Sequence, residues 1–356
     1  MLSLKSLSRI ALATVLFLAI AWPSIATAQS TTPANVMTYN VDEGTDFTAI
    51  TAVLTNPNAT ADDFIAAVTA TVNEVAASNL PLRAQLIAAR IAEAQPDLVG
   101  LQEAALWTFG GQQFDLLQMI LDELTALGEH YTAVVTVTEF QLDLTEQLGV
   151  GFVDRDVILV RTNNGAVQIT GGNQGHYSVL VPLPAFPPYL PATYITRGWG
   201  YVDVRLQGKV FRFITTHLED GTNPLSIFAL VQGAQAIELV YGPALTPLPV
   251  IMAGDFNVVA NDPSSVTYLT YRFLLANGFA DAWRRVHPDL VGATCCQENL
   301  QDPNSDLTQR LDLAFTRNHV GAVGAQLVGD QIDETSGYWP SDHTGVFVGT
   351  AIAKVR

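Results

Sequence analysis

The chain has 356 residues, 49% of them hydrophobic, and carries 17 Lys and Arg against 34 Asp and Glu. This length is sufficient for one large domain with a substantial core. The net charge is −17, whereas proteins that bind along a nucleic-acid backbone are usually rich in basic residues. This negative charge disfavours binding to polyanions and anionic membranes.

The N-terminus predicts a secretory signal peptide over residues 1–28. Lys5 and Arg9 supply positive charge, an apolar run follows from Ile10 to Trp22, and Ala26-Thr27-Ala28 has the small-x-small pattern of a cleavage site. The apolar run is shorter than the roughly 20 residues of a membrane span, which favours cleavage over retention as an anchor. We therefore predict an exported, periplasmic or extracellular protein with no stable membrane insertion.

Apolar periodicity in the remainder alternates between strands and helices. Strands are predicted at 36–41, 97–101, 131–138, 156–161, 200–206, 209–216, 249–254, 311–316 and 344–351. Helices are predicted at 62–80, 80–94, 114–124, 227–241 and 268–276. The segment from Gly171 to Pro191, rich in Gly, Pro and aromatic residues, is predicted to be a long surface loop. Because no linker divides the chain, we expect residues 29–356 to form a single α+β domain of stacked sheets covered by helices. We also expect the protein to be a monomer.

Polar residues stand at the ends of several of these short apolar strands. Each alone is explained by a turn residue, a surface charge or a structural histidine. Together they supply the groups that phosphate-ester hydrolysis needs: oxygen ligands for a hard cation such as Mg²⁺, a group that positions water, and donors for the phosphoryl charge. The residues concerned are Asn40, Asp42, Glu103, His217, Asp255, Asn257, Asp312, Asp342 and His343.

These segments, in this order, resemble the endonuclease/exonuclease/phosphatase superfamily, which includes DNase I-like nucleases, inositol polyphosphate 5-phosphatases and neutral sphingomyelinases. The matching segments extend from Tyr39 to His343, and the combination of Gly254-Asp255-Phe256-Asn257 with Ser341-Asp342-His343 is specific. The resemblance implies a DNase I-like, four-layer α/β/β/α sandwich of two packed mixed sheets flanked by helices. It places the site at one end of the sandwich.

The resemblance also implies roles for individual residues. Glu103 and Asn40 correspond to Mg²⁺ ligands, with Mn²⁺ or Ca²⁺ as alternative ions. Asp42 would return to the face of Asn40 through strand alternation and assist them. Asp255 corresponds to the residue that orients or deprotonates the attacking water, with Asn257 beside it.

Two histidines correspond to groups that face the scissile phosphate, His217 and His343. Asp312 corresponds to the carboxylate partner that orients His343 and favours its charged form. Asp342 is expected to contact metal or water. The implied reaction is an in-line attack of water on phosphorus without a covalent intermediate.

The function implied by the resemblance is that of an exported Mg²⁺-dependent hydrolase, foremost a phosphodiesterase. A secreted DNase I-like nuclease and a sphingomyelinase- or phospholipase C-like enzyme are the alternatives. A catalytically inactive binding module on the same fold is disfavoured, because none of the polar residues that the resemblance implies is missing. Whether the ester is a small molecule, a lipid headgroup or a nucleic acid stays open.

Two regions beside the polar segments are expected to select the substrate, the insertion from Asp42 to Leu82 and the segment from Thr294 to Asp312. The second contains Cys295 and Cys296, for which a vicinal disulfide and two free thiols both remain open. A group of aromatic residues is interpreted as packing of a loop on the sheet in preference to binding a base or a lipid. Its members are Phe186, Tyr189, Tyr194 and Trp199.

Overall fold

The computed structural model describes residues 31–163, 165–221 and 226–353. The predicted signal peptide lies outside these described residues. Two mixed β-sheets pack face to face, and helices cover both outer faces. The predicted α/β/β/α sandwich is therefore confirmed.

The described strands and helices agree with the predicted alternation. The strands are β1 (Thr32–Asn40), β2 (Leu98–Gln102), β3 (Leu106–Phe109), β4 (Gln112–Asp115), β5 (Tyr131–Leu144), β6 (Val150–Arg161), β7 (Val167–His176), β8 (Val181–Leu183), β9 (Thr193–Ile195), β10 (Gly198–Leu206), β11 (Lys209–His217), β12 (Val250–Asp255), β13 (Ala280–Asp281), β14 (Asp312–Arg317), β15 (Val320–Val328) and β16 (Gly345–Ile352). The helices are α1 (Thr48–Thr55), α2 (Ala61–Ala77), α3 (Leu80–Ala94), α4 (Leu116–Ala126), α5 (Thr145–Leu148), α6 (Ser226–Tyr241), α7 (Tyr268–Ala276) and α8 (Ala282–Val286). None of these helices is long and apolar enough to span a bilayer.

Sheet I has the order β15-β16-β1-β2-β6-β3-β4, with β5 also paired to β6. Sheet II has the order β13-β14-β12-β11-β10-β7, and β8 with β9 forms a separate ribbon. Apolar side chains such as Val36 and Ile158 of sheet I interlock with Phe213 and Ile251 of sheet II. Helices α3 and α4 cover the outer face of sheet I, and α6 and α7 cover that of sheet II.

The start of α3 shows why the local sequence gives this helix. Asn79 caps it by accepting a hydrogen bond from the backbone N–H of Leu82, and Pro81 occupies the first turn, where its missing N–H costs nothing. Ala84, Ile87 and Ile91 then recur on one buried face and pack on sheet I. The helix predicted over residues 80–94 is confirmed.

The pairing of the strands brings their polar ends to one edge of each sheet. Strands β1 and β2 are parallel and end with Asn40 opposite Gln102. Strands β11 and β12 are parallel and end with His217 opposite Asp255. Strand β14 is antiparallel to β12 and begins with Asp312 opposite Asp255, and β16 begins at the corresponding edge of sheet I because it is antiparallel to β1.

The loop predicted from Gly171 to Pro191 is wrong in its first part. Residues up to His176 belong to β7, the edge strand of sheet II, which pairs with β10. Its glycines suggest a loop, but at Gly175 the missing side chain leaves room for the ring of Trp199 on β10. Composition alone therefore predicted a loop where the chain forms an edge strand that packs against an aromatic ring.

A buried arginine ties the end of β1 to α3 and to the C-terminal polar segment. Arg83 is fully buried, and its Nε donates to the carbonyl of Pro340 at 3.0 Å. Its Nη2 donates to the carbonyls of Val41 and Asp42 and lies 3.2 Å from the Asp42 carboxylate. One side chain thus fixes two chain segments that carry predicted site residues.

We predict that Arg83→Met lowers the free energy of unfolding by about 3–5 kcal/mol, because removal of one member of a buried ion pair leaves the partner uncompensated. Urea unfolding measures the change. Arg90→Met is the matched control: Arg90 lies on the same helix, and its ion pair with Glu93 is at the surface, with side chains 31% and 76% exposed. Such a pair is worth at most about 1 kcal/mol. Equal losses in the two variants would contradict the bridging role of Arg83.

Candidate functional site

The polar strand ends of the two sheets meet at one end of the sandwich. The amide nitrogen of Asn40 donates to Glu103 Oε1 at 2.7 Å and to Asp255 Oδ2 at 3.2 Å. Asn40 and Glu103 follow strands of sheet I, whereas Asp255 ends a strand of sheet II. The structure therefore brings these three predicted residues together across the sheets, with Asn40 as the bridge.

The Gly-Asp-Phe-Asn segment positions two side chains at the end of β12. Gly254 is required because a Cβ there would overlap the carbonyl oxygen of Thr216 on β11. Asn257 turns the chain with a φ of 52°, which asparagine tolerates, and its backbone N–H donates to Asp255 Oδ1 at 2.8 Å. Burial and the neighbouring Asp312 carboxylate raise the pKa of Asp255 to about 7.

His217 lies beside this turn. Its Nε2 is 3.2 Å from the amide nitrogen of Asn257 and 3.6 Å from Asp255 Oδ2. On the other side of the ring, Nδ1 is 2.9 Å from Nη1 of Arg197. Burial and the positive charge of Arg197 lower the pKa of His217 well below its ordinary value, which makes a neutral ring the stable form.

His343 has the opposite electrostatic environment. Its Nδ1 lies 2.8 Å from Asp312 Oδ2 and 3.8 Å from Asp255 Oδ2. Burial alone would lower the pKa of His343, but the carboxylates of Asp312, Asp342 and Asp255 outweigh it and raise the pKa well above its ordinary value. The site thus pairs a neutral histidine with a protonated one.

The segment before β16 docks on the end of β1. The hydroxyl of Ser341 donates to the carbonyl of Asn40 at 2.8 Å and accepts the backbone N–H of His343. Burial and the nearby Asp42 carboxylate raise the pKa of the Asp342 carboxyl to about 8. Both residues predicted from Ser341-Asp342-His343 therefore lie at the same end of the sandwich as Asn40.

The strand-alternation argument for Asp42 is wrong. Strand β1 ends at Asn40, and Asp42 adopts a φ of 56°, so period-two geometry does not apply to it. Its carboxylate accepts the backbone N–H of Gly44 and contacts Arg83. Asp42 is near the other acids but has a cationic partner of its own, which makes it the least suited of the three predicted metal ligands.

The segment from Thr294 to Asp312 supports the histidine pair. The hydroxyl of Thr294 accepts the backbone N–H groups of Leu311 and Asp312, and the N–H of Gln297 donates to the carbonyl of Asp342. A disulfide joins Cys295 to Cys296, so the two sulfurs offer no thiolate to a metal. Of the two possibilities left open by the sequence, the vicinal disulfide is the one present.

A buried acidic group around Arg197 was missed by the sequence reasoning. Asp156 and Glu139 are 0% and 1% exposed, and neither carboxylate has a hydrogen-bond partner among the described residues. Asp156 Oδ1 lies 4.0 Å from His217 Nδ1. Burial and neighbouring carboxylates raise the pKa of both acids well above the ordinary value. The sequence does contain a signal for these acids. Asp154 and Asp156 are two residues apart in β6, and both lie on the buried side of this alternating strand.

The end of the sandwich therefore concentrates buried carboxylates with few cations among them. Burying charge without compensation is costly, and a bound divalent ion is often the largest charge in such a site. Within the described chain, oxygen and imidazole atoms of Asp255, Asp312 and His343 lie close enough to hold one ion. The short contact between Asp312 and His343 is a hydrogen bond, so these two side chains are already paired with each other. Glu103 and Asp255 instead supply the hard oxygen donors that Mg²⁺ prefers.

Comparison with known proteins agrees with this geometry. The sequence matches the model of the Endonuclease/Exonuclease/phosphatase family over residues 37–343. No curated protein matches the sequence.

Three solved structures share the fold at low sequence identity. A family protein from Bacteroides thetaiotaomicron is 18% identical, with a TM-score of 0.56, over 91% of this chain and 100% of that one. One from Beutenbergia cavernae is 22% identical, with a TM-score of 0.55, over 90% and 72%. D. rerio TDP2, complexed with a single-strand DNA product, is 16% identical, with a TM-score of 0.54, over 89% and 98%.

The family match covers nearly all of the described chain and contains every predicted site residue from Asn40 to His343. The architecture of the solved relatives is the same sandwich. The chain belongs to the endonuclease/exonuclease/phosphatase family, whose members hydrolyse phosphate esters.

Proposed function

We propose that the protein is an exported, divalent-metal-dependent phosphodiesterase. The observation that carries the proposal is the convergence of Glu103, Asp255, His217 and His343 on one end of the sandwich, where the pKa values of the two imidazoles shift in opposite directions. Export rests on the predicted signal peptide alone.

Glu103 would hold the metal ion, with Asn40 fixing its carboxylate against Asp255. The half-buried Glu103 also accepts the backbone N–H of Glu43 through Oε2 at 3.2 Å, so both its oxygens have defined positions. Oxygen donors of this kind fit Mg²⁺, and Mn²⁺ or Ca²⁺ are the alternatives. When bound, the ion polarises a phosphoryl oxygen and offsets charge that develops on it.

Asp255 would accept a proton from the attacking water. Its raised pKa of about 7 lies close to neutral pH, where a general base is most effective. The backbone N–H of Asn257 donates to Asp255 Oδ1, and Asp255 Oδ2 lies 3.6 Å from Nε2 of His217 and 3.8 Å from Nδ1 of His343. Water then attacks phosphorus in line with the leaving oxygen, without a covalent intermediate.

The two histidines would bind the phosphoryl group as hydrogen-bond donors. Asp312 engages Nδ1 of His343, so the protonated ring would offer its Nε2–H to the phosphoryl group. Arg197 donates to Nδ1 of His217 at 2.9 Å, so the neutral ring would carry its proton on Nε2. In that tautomer the amide of Asn257 donates to the carbonyl of Leu218 and not to the ring. Both donors are positioned in advance, which is how an active site stabilises charge in a transition state.

A nuclease is the second candidate, because a structural neighbour, D. rerio TDP2, is complexed with a single-strand DNA product. The net charge of −17 weakens this candidate, since nucleic-acid binding draws most of its affinity from contacts of basic residues with phosphates. A smaller or less charged phosphodiester is therefore the favoured substrate.

We predict that Mg²⁺-supported hydrolysis of bis-4-nitrophenyl phosphate stops in EDTA and returns when Mg²⁺ is restored. In Asp255→Asn, kcat falls by about 10²–10⁴-fold, because an amide does not accept the proton of water. Release of 4-nitrophenolate measures kcat, and urea unfolding verifies that the variant is folded.

Asp262→Asn is the matched control, since Asp262 is an exposed acid in the loop that follows the same strand; it keeps the wild-type kcat. Turnover that ignores EDTA would reject the metal. A wild-type rate in Asp255→Asn would remove Asp255 from the mechanism, and cleavage confined to DNA would favour the nuclease.

We further predict that Asp312→Asn lowers the pKa of His343 in the metal-free protein. Because the folded-state pKa is raised, the protonated ring stabilises the fold fully below the unfolded-state pKa of about 6.5 and loses this contribution as pH rises through the folded-state value. Long-range ¹H–¹⁵N NMR titration in EDTA gives the midpoint. An unchanged midpoint, equal to that of Asp262→Asn, would contradict the pairing.

A further inference from the structure

A deep apolar cavity opens beside the catalytic end of the sandwich. Its volume is about 200 Å³, and its walls come from α1, α2, the adjoining ends of β5 and β6, and the β8–β9 ribbon. Phe47, Leu54, Phe64, Phe152 and Leu190 are among the lining residues. Most of these walls belong to segments outside the core between the two sheets.

The inner end of the cavity reaches the proposed catalytic groups. Arg197 and Glu43 both line it. The Arg197 guanidinium contacts the ring of His217 at 2.9 Å, and the backbone N–H of Glu43 donates to Glu103 at 3.2 Å. A group that fills the cavity is therefore one side chain away from the phosphoryl site.

The walls are fixed by aromatic packing. The ring of Phe64 stacks on Phe186 and Tyr189, with centroids 4.8 and 5.1 Å apart, which holds α2 against the ribbon. On the opposite side, Trp107 packs on Phe152 at 4.3 Å, and its indole N–H donates to the carbonyl of Glu43. The cavity is thus preformed, which is typical of sites for small ligands.

We propose that this cavity binds a hydrocarbon chain attached to the phosphate ester that the site hydrolyses. The proposal rests on the proposed function, and it names the substrate class as esters with one charged phosphate and an aliphatic group. The chain lies among the apolar walls while the phosphate faces His217 and Glu103.

The lining distinguishes a hydrocarbon chain from a nucleobase. A bound base needs hydrogen-bond partners for its polar edge as well as stacking. Apart from Glu43, Asp154 and Arg197 at the inner end, the only polar lining groups in the described residues are Thr51, Thr71 and Thr196. An apolar cavity of about 150 Å³ is enough to hold a benzene molecule, so this one has room for several methylene groups.

The test compares methyl and octyl 4-nitrophenyl phosphate, below the micelle concentration of the octyl ester and with Mg²⁺ present. Each buried methylene group strengthens binding about four-fold. We expect the octyl ester to have a KM lower by about 50-fold or more, which corresponds to burial of three methylene groups. Thymidine 5′-(4-nitrophenyl) phosphate serves as the nucleotide arm.

Ile50→Trp fills the cavity from α1, and Thr51→Trp does so from its exposed rim. Both variants remove most of the octyl preference and leave kcat/KM for the methyl ester unchanged. Ile237→Trp is the matched control, because Ile237 is 48% exposed on α6 and does not line the cavity; it keeps the preference.

Equal KM values for the two alkyl esters in the wild-type protein would overturn the proposal, as would a preference for the thymidine ester. If neither alkyl ester is hydrolysed, the proposed function fails, and calorimetry with octyl and methyl phosphate tests the cavity separately. Octyl phosphate binding that is lost in Ile50→Trp and Thr51→Trp supports the cavity, and absence of binding overturns it.

Turnover of phosphatidylcholine vesicles assigns the hydrocarbon chain to a membrane lipid, and turnover of the monomeric ester alone assigns it to a soluble ester.

Discussion

Repulsion among buried carboxylates shifts the pKa values at the end of the sandwich that contains the proposed site. Asp255 and Asp312 face each other across paired strands, and burial with this proximity raises the pKa of Asp255 to about 7. The same excess of negative charge keeps His343 protonated. A bound cation would offset this repulsion, and the divalent ion that we propose at Glu103 would also supply the charge that phosphoryl transfer needs.

Contacts made by residues outside the proposed site hold the buried carboxylates close together. Arg83 joins β1 to the segment before β16, and Ser341 repeats that connection through the carbonyl of Asn40. Burial and the positive charge of Arg197 beside Nδ1 lower the pKa of His217, although the Asp156 carboxylate also lies 4.0 Å from that nitrogen. Two histidines of one site therefore differ in charge because one has a cation at Nδ1 and the other a carboxylate.

The sequence was informative where a short apolar strand ended in a polar residue. Asp255 and His343 were predicted on that basis, since strand pairing then brings such ends to one edge. The acids of β6 were missed because the predicted strand begins at Asp156, so that Asp154 lay outside it and the shared buried side of the two acids was not recognised. Arg197 precedes β10 without any motif. The left-handed backbone of Asp42 and the cavity under α1 and α2 depend on long-range packing, which periodicity does not report.

We propose that polar segments far apart in the sequence form one site for a divalent ion and a phosphoryl group. A crystal structure with Mn²⁺ and orthophosphate, using the anomalous signal of manganese, tests this most directly. We expect a manganese peak about 2.1 Å from a carboxylate oxygen of Glu103, with phosphate oxygens within hydrogen-bond distance of Nε2 of His217 and His343. Manganese bound away from Glu103, or phosphate bound away from both histidines, would contradict it.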